Sequence, residues 1–322
     1  MAKWLLIGDP HVVTDELKDC QALAQGIEDT IKAHPDLDYV VFLGDQHHNH
    51  ALMHVEVLAF WRETFKRLKT LRPTVYALVG NHDQPGDGVS RNHAMMAYED
   101  LVTVVDRPKI TSGVLLLPYY HDQKQFLEAL EGSRSRLVIC HQTLDGSKYE
   151  NGFYAKDGVP MAGLEDWHFI SGHIHTPQAF GNVTYIGAPR WRSLSDANVD
   201  RSLVIMELTP GLPPEILSKI DTGEWCSRLI HIVDKQDNPV HIDVDPRHRY
   251  IVDLHGESGF IQAKKHFWHG CRIRTFQTQD ETPAVRESMG INQAIQAFIE
   301  TYQPKYGTEI TILRDMATKR IS

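Results

Sequence analysis

The sequence is poor in cysteine: Cys20, Cys140, Cys226 and Cys271 are its only four, far apart and without a CxxC pair. That spacing excludes a zinc knuckle and offers no disulfide framework, so free, buried thiols in a reducing compartment are expected. No apolar run approaches membrane-spanning length, and the opening "MAKWLLIGDPH" carries too short an apolar stretch for a signal-peptide core. A cytoplasmic protein with no membrane partner is the expectation. Positive charge is also in deficit, with 33 Lys and Arg against 42 Asp and Glu and a net charge of -9. Such a chain is not coated for non-specific DNA binding, although a local basic patch beside an acidic site is compatible with it. Internal repeats and low-complexity segments are missing too. What is abundant is histidine, at 19 of 322 residues.

The useful histidines are those at strand ends. "KWLLIG", "DYVVFLG" and "TVYALVG" are short apolar runs that read as buried strands. Between them, Leu17, Leu23, Ile27 and Ile31 recur at helical spacing before Pro35, and "LMHVEVLAFWRETFKRLKTL" reads as a helix stopped by Pro73. The resulting β-α-β-α-β order predicts a parallel sheet with crossover helices. "GVLLLPYY", "SRLVICH", "DWHFISGH", "QAFGNVTYIGAP" and "RSLVIMEL" read as further strands, giving helices that sandwich two sheets. Pro and Gly cluster in "TPGLPPE" and place a domain boundary there: residues 1–210 form the first domain and 215–322 a small α/β domain. In the latter, "HRYIVDLHG" and "CRIRTFQT" read as strands and "SGFIQAKKHFW" and "INQAIQAFIETY" as helices.

Each apolar strand is followed by a polar motif: "GDPH", "GDQHH", "GNHD", then the ends of "LVICH" and "FISGHIH". Loops at the carboxyl ends of strands in such sheets converge on one crevice. Convergence would gather Asp9, His11, Asp45, Asn81, His141, His173 and His175. A lone Asp-x-His is weak, and "GNHD" alone is an ordinary turn sequence. Their joint occurrence is far more specific. Carboxylate, amide oxygen and imidazole together suit first-row divalent metals, and seven ligands fit two ions bridged by one carboxylate. The D-x-H and H-x-H spacings put both members on one side of extended backbone.

These residues resemble the pattern of the calcineurin-like metallophosphoesterase superfamily, D-x-H, G-D, G-N-H-D/E, H, G-H-x-H, over about the first 210 residues. The resemblance implies a two-sheet α/β sandwich that hydrolyses phosphoesters with two divalent ions. One ion would be held by Asp9, His11, Asp45 and His175, and the other by Asp45, Asn81, His141 and His173, with Asp45 as the bridge. His82 would face the phosphate as general acid or transition-state stabiliser, and Asp83 would orient His82.

Within the superfamily the chain is most similar to the SbcD-type nuclease subunits of SbcCD recombination and repair complexes. His48 stands three positions after Asp45, as in that branch's G-D-x-x-H, and "YIGAPRWRSLSD" resembles its stretch after G-H-x-H. His47 departs from the branch, which has an aromatic or aliphatic residue there. This second resemblance implies a DNA exonuclease, with endonuclease activity also compatible, and His48 contacting phosphate. It favours Mn2+, with Fe, Zn or Mg as alternatives. It further implies a capping domain and an ABC-type ATPase partner of the SbcC kind with a coiled coil; a homodimer is compatible with the sequence but not set by it. Only about thirty residues follow position 290, so the ATPase-docking element is expected to be short or absent.

DNA would be held outside the metal shell. Arg190, Trp191, Arg192 and Arg201 follow the last histidine motif. Residues 247–274 hold six Lys or Arg against two acidic residues, and interleave Lys264, Lys265, Arg272 and Arg274 with Phe267 and Trp268. Such a patch could track a backbone or stack on a base; a solvated helix face with two core aromatics reads equally well. Other histidines, such as His50 and His93, have no motif context. The rival enzyme reading is a phosphodiesterase of small phosphodiesters or nucleotides; the rival of another class is a catalytically idle scaffold.

Overall fold

The structure, a computed structural model, describes residues 1–50, 52–86 and 92–278. In chain order the elements are β1 (Ala2–Ile7), α1 (Leu17–Ala33), β2 (Tyr39–Phe42), α2 (Val55–Leu68), β3 (Thr74–Leu78), β4 (Thr103–Val105), β5 (Lys109–Thr111), β6 (Val114–Leu117), α3 (Gln123–Glu131), β7 (Leu137–His141) and β8 (His168–Gly172). There follow β9 (Gln178–Phe180), β10 (Val183–Tyr185), β11 (Ser202–Leu208), β12 (Glu215–Asp221), β13 (Leu229–Lys235), β14 (Arg249–Gly256), α4 (Ser258–Phe267) and β15 (Arg272–Gln277).

Two six-stranded sheets form the body, in the orders β12-β11-β1-β2-β3-β4 and β5-β6-β7-β8-β10-β9. The β1–β2–β3–β4 run is parallel, as the β-α-β-α-β pattern requires, and β11 closes on β1 antiparallel. Alternation along each strand divides the core into layers. Trp4, Leu6, Val41 and Leu78 face Leu116, Ile139 and Ile170 of the second sheet. Leu5, Ile7, Val40 and Phe42 face the other way, onto Leu23 and Ile27 of α1 and Trp61 and Phe65 of α2. Leu115, Leu117, Val138 and Cys140 pack outward with Phe126 and Leu130 of α3. This is the expected two-sheet sandwich with helical outer layers.

Residues 209–214, within the expected boundary, are the hairpin turn between the antiparallel pair β11 and β12. Proline and glycine mark a turn; they do not by themselves distinguish a hairpin from a linker. The chain divides further on, into Met1–Ile232 with His241–Val252, and Val233–Val240 with the chain from Asp253 onward. "QAFGNVTYIGAP" is two strands, β9 and β10, paired antiparallel about Gly181 at φ +50°. In the second unit α4 packs through Ile261, and Trp268 and Leu254 are wholly buried. The "INQAIQAFIETY" helix and the docking tail lie outside the described residues. Among the described residues no helix is long and apolar enough to cross a membrane.

Candidate metal centre

All seven proposed ligands meet in one place. Asp9 and His11 follow β1, Asp45 follows β2, Asn81 follows β3, His141 ends β7, and His173 and His175 follow β8. Nε2 of His11 lies 2.9 Å from Nε2 of His175 and 3.5 Å from Oδ2 of Asp45. On the other side of that carboxylate, Nε2 of His141 is 3.4 Å from the same Oδ2. Oδ1 of Asn81 lies 3.0 Å from His141 Nε2 and 2.9 Å from His173 Nδ1. Three groups of possible ligand atoms result: Asp9–His11–His175 and Asp45–His141–His173, made of the expected ligands, and His11–His48–His82, which adds two flanking histidines. Oδ2 of Asp45 faces the first two.

The local backbone is shaped for this convergence. His11, Asp45 and His173 have φ of +44°, +53° and +79°. Non-glycine residues rarely adopt that region, and such strain gathers at functional sites. Gly80 is required because a Cβ there would strike the Asp45 carboxylate, and Gly44, at φ +113°, lies against the His141 ring. Hydrogen bonds aim the carboxylates: His82 N donates to Asp45 Oδ1 at 2.8 Å and His173 N to Asp9 Oδ1 at 2.8 Å.

The donor set fits divalent cations. Oδ2 of Asp9 and Nδ1 of His11 are buried without a hydrogen-bond partner, which is costly unless a cation or a proton sits nearby. Burial drives Asp9 up from the usual carboxylate range. Burial opposes ionisation of Asp45 as well, but His141, His11 and His82 outweigh it and hold Asp45 well below that range. Burial pushes His11 far down and His173 down to about 3. It would lower His141 likewise, but Asp45 and Asp9 carry that ring up to about 9. Metal binding would require that ring to give up its extra proton.

Three further histidines flank the ligands. His82 sits edge-on to His11, ring centroids 4.7 Å apart, and stacks between His48 at 5.4 Å and His50 at 4.0 Å. Nδ1 of His82 lies 2.5 Å from the His48 carbonyl oxygen, which can only accept. The proton is therefore on Nδ1, and neutral His82 offers a lone pair at Nε2. His48 is the converse. Arg192 Nη1 donates to its Nδ1 at 2.8 Å, so neutral His48 carries its proton on Nε2. Burial, with Arg192 next, takes His48 down to about 4, so it is a neutral donor near pH 7.

Several expected roles need correction. Asp83 does not orient His82. Its Oδ1 accepts from His47 N at 3.0 Å and sits 2.8 Å from His47 Nδ1, while Oδ2 accepts from Gly80 N at 3.0 Å. Nε2 of His47 lies 2.9 Å from the hydroxyl of buried Tyr98. His47 is thus a core strut that ties the "GDQHH" and "GNHD" loops together, and this explains its presence. Arg190 is 1% exposed: it donates to the Pro10 and His11 carbonyls and pairs with Glu16 and Asp19. Arg201 is buried with Asp196, and Trp191 donates to Val199 O. None of these three reaches solvent as a DNA contact. Arg192 lies at the site but is held by Glu16 and His48.

In the second unit Lys264 is 8% exposed and pairs with Asp234 at 3.0 Å; Trp268, wholly buried, donates to the same carboxylate at 2.7 Å. Arg274 pairs with Asp253. Lys265, Phe267 and Arg272 are exposed. Two site neighbours have no histidine motif to betray them. Glu150 accepts from His175 N at 2.9 Å, and the Tyr119 ring lies 5.5 Å from His173.

A family model described as calcineurin-like phosphoesterase matches residues 2–177. Exonuclease subunit 1 of Enterobacteria phage T4 is 30% identical over 162 residues, 45% of this chain and 46% of that protein, so the match spans about half the length of that curated relative. The crystal structure of Pseudomonas putida nuclease MPE is similar at 16% identity and a TM-score of 0.34, over 66% of this chain and 87% of that one. The family's chemistry is phosphoester hydrolysis with divalent metal ions, and this chain belongs to the calcineurin-like phosphoesterase family.

Proposed function

We propose that the protein is a two-metal DNA nuclease, acting as an exonuclease of the SbcD type. The observation that carries the two-metal part is the Asp45 carboxylate, whose Oδ2 lies 3.5 Å from His11 Nε2 and 3.4 Å from His141 Nε2. The partial likeness to a phage exonuclease subunit supports exonuclease activity. Divalent ions bound there, Mn2+ by preference, would supply Lewis acidity to the phosphoryl oxygens and an acidified water as nucleophile. The chain's own groups do the rest. Asn81 and His173 fix the orientation of His141, and Asp9 holds the His173 backbone. His48 donates from Nε2 to a non-bridging phosphate oxygen. His82, once its Nε2 has taken up a proton, returns it to the departing sugar oxygen. Partnership with an SbcC-type ATPase in recombination or repair, a homodimer, and DNA holding by the second unit belong to the same proposal.

The loss of Arg190, Lys264 and Trp268 as DNA contacts favours one alternative, a phosphodiesterase of small diesters. A single assay separates them. End-labelled single- and double-stranded DNA is incubated with Mn2+ or Mg2+, beside bis-p-nitrophenyl phosphate and cyclic nucleotides. Metal-dependent shortening of DNA, abolished by Asp45→Ala, is expected. Turnover of the small diesters with intact DNA would overturn the nuclease reading.

A further inference from the structure

The connection between β7 and β8, which runs between two ligand-bearing strand ends, carries a small hairpin. Tyr149 N donates to Phe153 O at 2.9 Å, Gly152 N to Tyr149 O at 2.8 Å, and Lys148 bridges Tyr154 antiparallel. The hairpin is fastened to the rest of its unit: Lys148 N donates to Gln178 Oε1 at 2.9 Å, Gln178 Nε2 returns to Lys148 O at 2.7 Å, and Tyr149 Oη donates to Asp157 at 2.7 Å. At its tip Glu150 grips the backbone of His175, a proposed ligand. Yet the hairpin leaves Phe153 73% and Tyr154 62% exposed. Exposing two neighbouring aromatics forfeits roughly 1.5–3 kcal/mol of burial for a side chain of Phe size, so a rigid loop that does so beside a catalytic crevice invites a ligand.

Further aromatics stand at the site and on the hairpin. The Tyr119 ring is 5.5 Å from His173, inside the site. Phe153 stands across the hairpin from Tyr149, and Tyr154 beyond it carries Lys148 Nζ 4.8 Å over its ring. Exposed aromatics with a cation beside one of them, on a loop tied to a ligand of a phosphodiester-cleaving site, are the groups that hold unpaired bases with their backbone alongside.

We propose that this hairpin is a stacking subsite for unpaired nucleobases next to the scissile phosphate, with Phe153 and Tyr154, on its two sides, as the stacking faces and Lys148 beside Tyr154. The inference rests on the nuclease reading. Stacking is indifferent to base identity, so the site selects strand state: a frayed or single-stranded end engages it and a closed duplex does not.

The test uses the full chain with metals chelated, so that binding is read without cleavage. Single-stranded oligonucleotides carrying 2-aminopurine at the terminal position are titrated against wild type, the double variant Phe153→Ala/Tyr154→Ala, and Phe153→Trp. Quenching in wild type, a tenfold or greater rise in Kd in the double variant, and retention in Phe153→Trp are expected. Replacing the terminal base by an abasic sugar should erase the difference. Thermal melting checks that the variants are folded, which exposed positions favour. Equal Kd and equal quenching in wild type and double variant would overturn the subsite. DNA cleavage is then read separately with Mn2+. Quenching without any cleavage by wild type would sink the nuclease reading and leave the stacking site standing; cleavage with no loss in the double variant would sink the stacking site alone.

Discussion

Replacing Arg190 with methionine tests whether this arginine serves the fold or the substrate. Its guanidinium donates to Pro10 O at 3.0 Å and His11 O at 3.1 Å, and lies 3.1 Å from Glu16 and 3.3 Å from Asp19. Methionine keeps much of the volume and none of the donors. Removing one partner of a buried ion pair costs about 3–5 kcal/mol, because the charges left behind remain desolvated. Here Glu16 and Asp19 keep 20% and 17% of their side-chain surface exposed, and Glu16 retains Arg192 and Arg249. The lower end, about 3 kcal/mol, is therefore expected. In a domain of this size that lowers Tm by roughly 6–12 °C. Differential scanning calorimetry at pH 7 measures it. The released Pro10 and His11 carbonyls should also loosen the D-x-H loop and weaken metal binding, read by titration with Mn2+. A phosphate contact would behave otherwise: Tm would move by no more than the equivalent of about 0.5 kcal/mol, and the salt slope of DNA binding would fall by about one. That pair of results would refute the burial argument.

His82→Ala should reduce kcat by roughly 10²–10⁴-fold while metal content, measured by inductively coupled plasma spectrometry, stays near wild type, because His82 is not one of the seven expected ligands and lies outside the two groups that contain a carboxylate. Loss of both ions would remove it from the role assigned here. Asp83→Asn leaves His47 and the Gly80 amide poorly held and should destabilise the protein by about 1–3 kcal/mol, read as a lower urea midpoint. Should that variant lose turnover without losing stability, Asp83 acts in the chemistry after all. Asp196 accepts from the backbone of Ser193 and Arg192 and pairs with Arg201; burial opposes its ionisation, but these partners hold its carboxyl below the usual range. A depressed folded pKa means its stabilisation is full above the unfolded value of roughly 3.9 and is lost as pH falls toward the folded one. Wild type should therefore lose Tm more steeply below pH 4 than Asp196→Asn; parallel curves would count against the pairing.

The parts of the fold that were legible share a physical cause. β1, β2 and β3 are buried on both faces and read as unbroken apolar runs, while α1 and α2 bury one stripe each. β12 was not legible: as the outermost strand of its sheet it is exposed along most of its length, and it owes its place to backbone pairing with β11. The metal ligands were legible because turn glycines and short spacings mark where a strand stops and a loop must crowd a partner. Asp83 was misplaced because its true partner, His47, lies 36 residues away and differs from its neighbour His48 only in which way it points. Sequence adjacency to His82 carried no such information.

Charge was the least legible property, and this bears on how the protein would hold DNA. Residues 247–274 count six cations against two anions, but a count does not register pairing. Arg247 pairs with Asp245, Arg249 with Glu16, Lys264 with Asp234 and Arg274 with Asp253. Three of these anions lie outside the window that was counted. Among the described residues, Lys265 and Arg272 are the members of that set with no ion pair. Two exposed cations release few counterions, so the salt slope contributed by this segment should be about −2 at most, not the −5 that six would give. Affinity that survives salt must then come from contacts that salt does not screen. In this chain exposed groups of that kind include Phe153 and Tyr154, on the hairpin that Glu150 ties to His175.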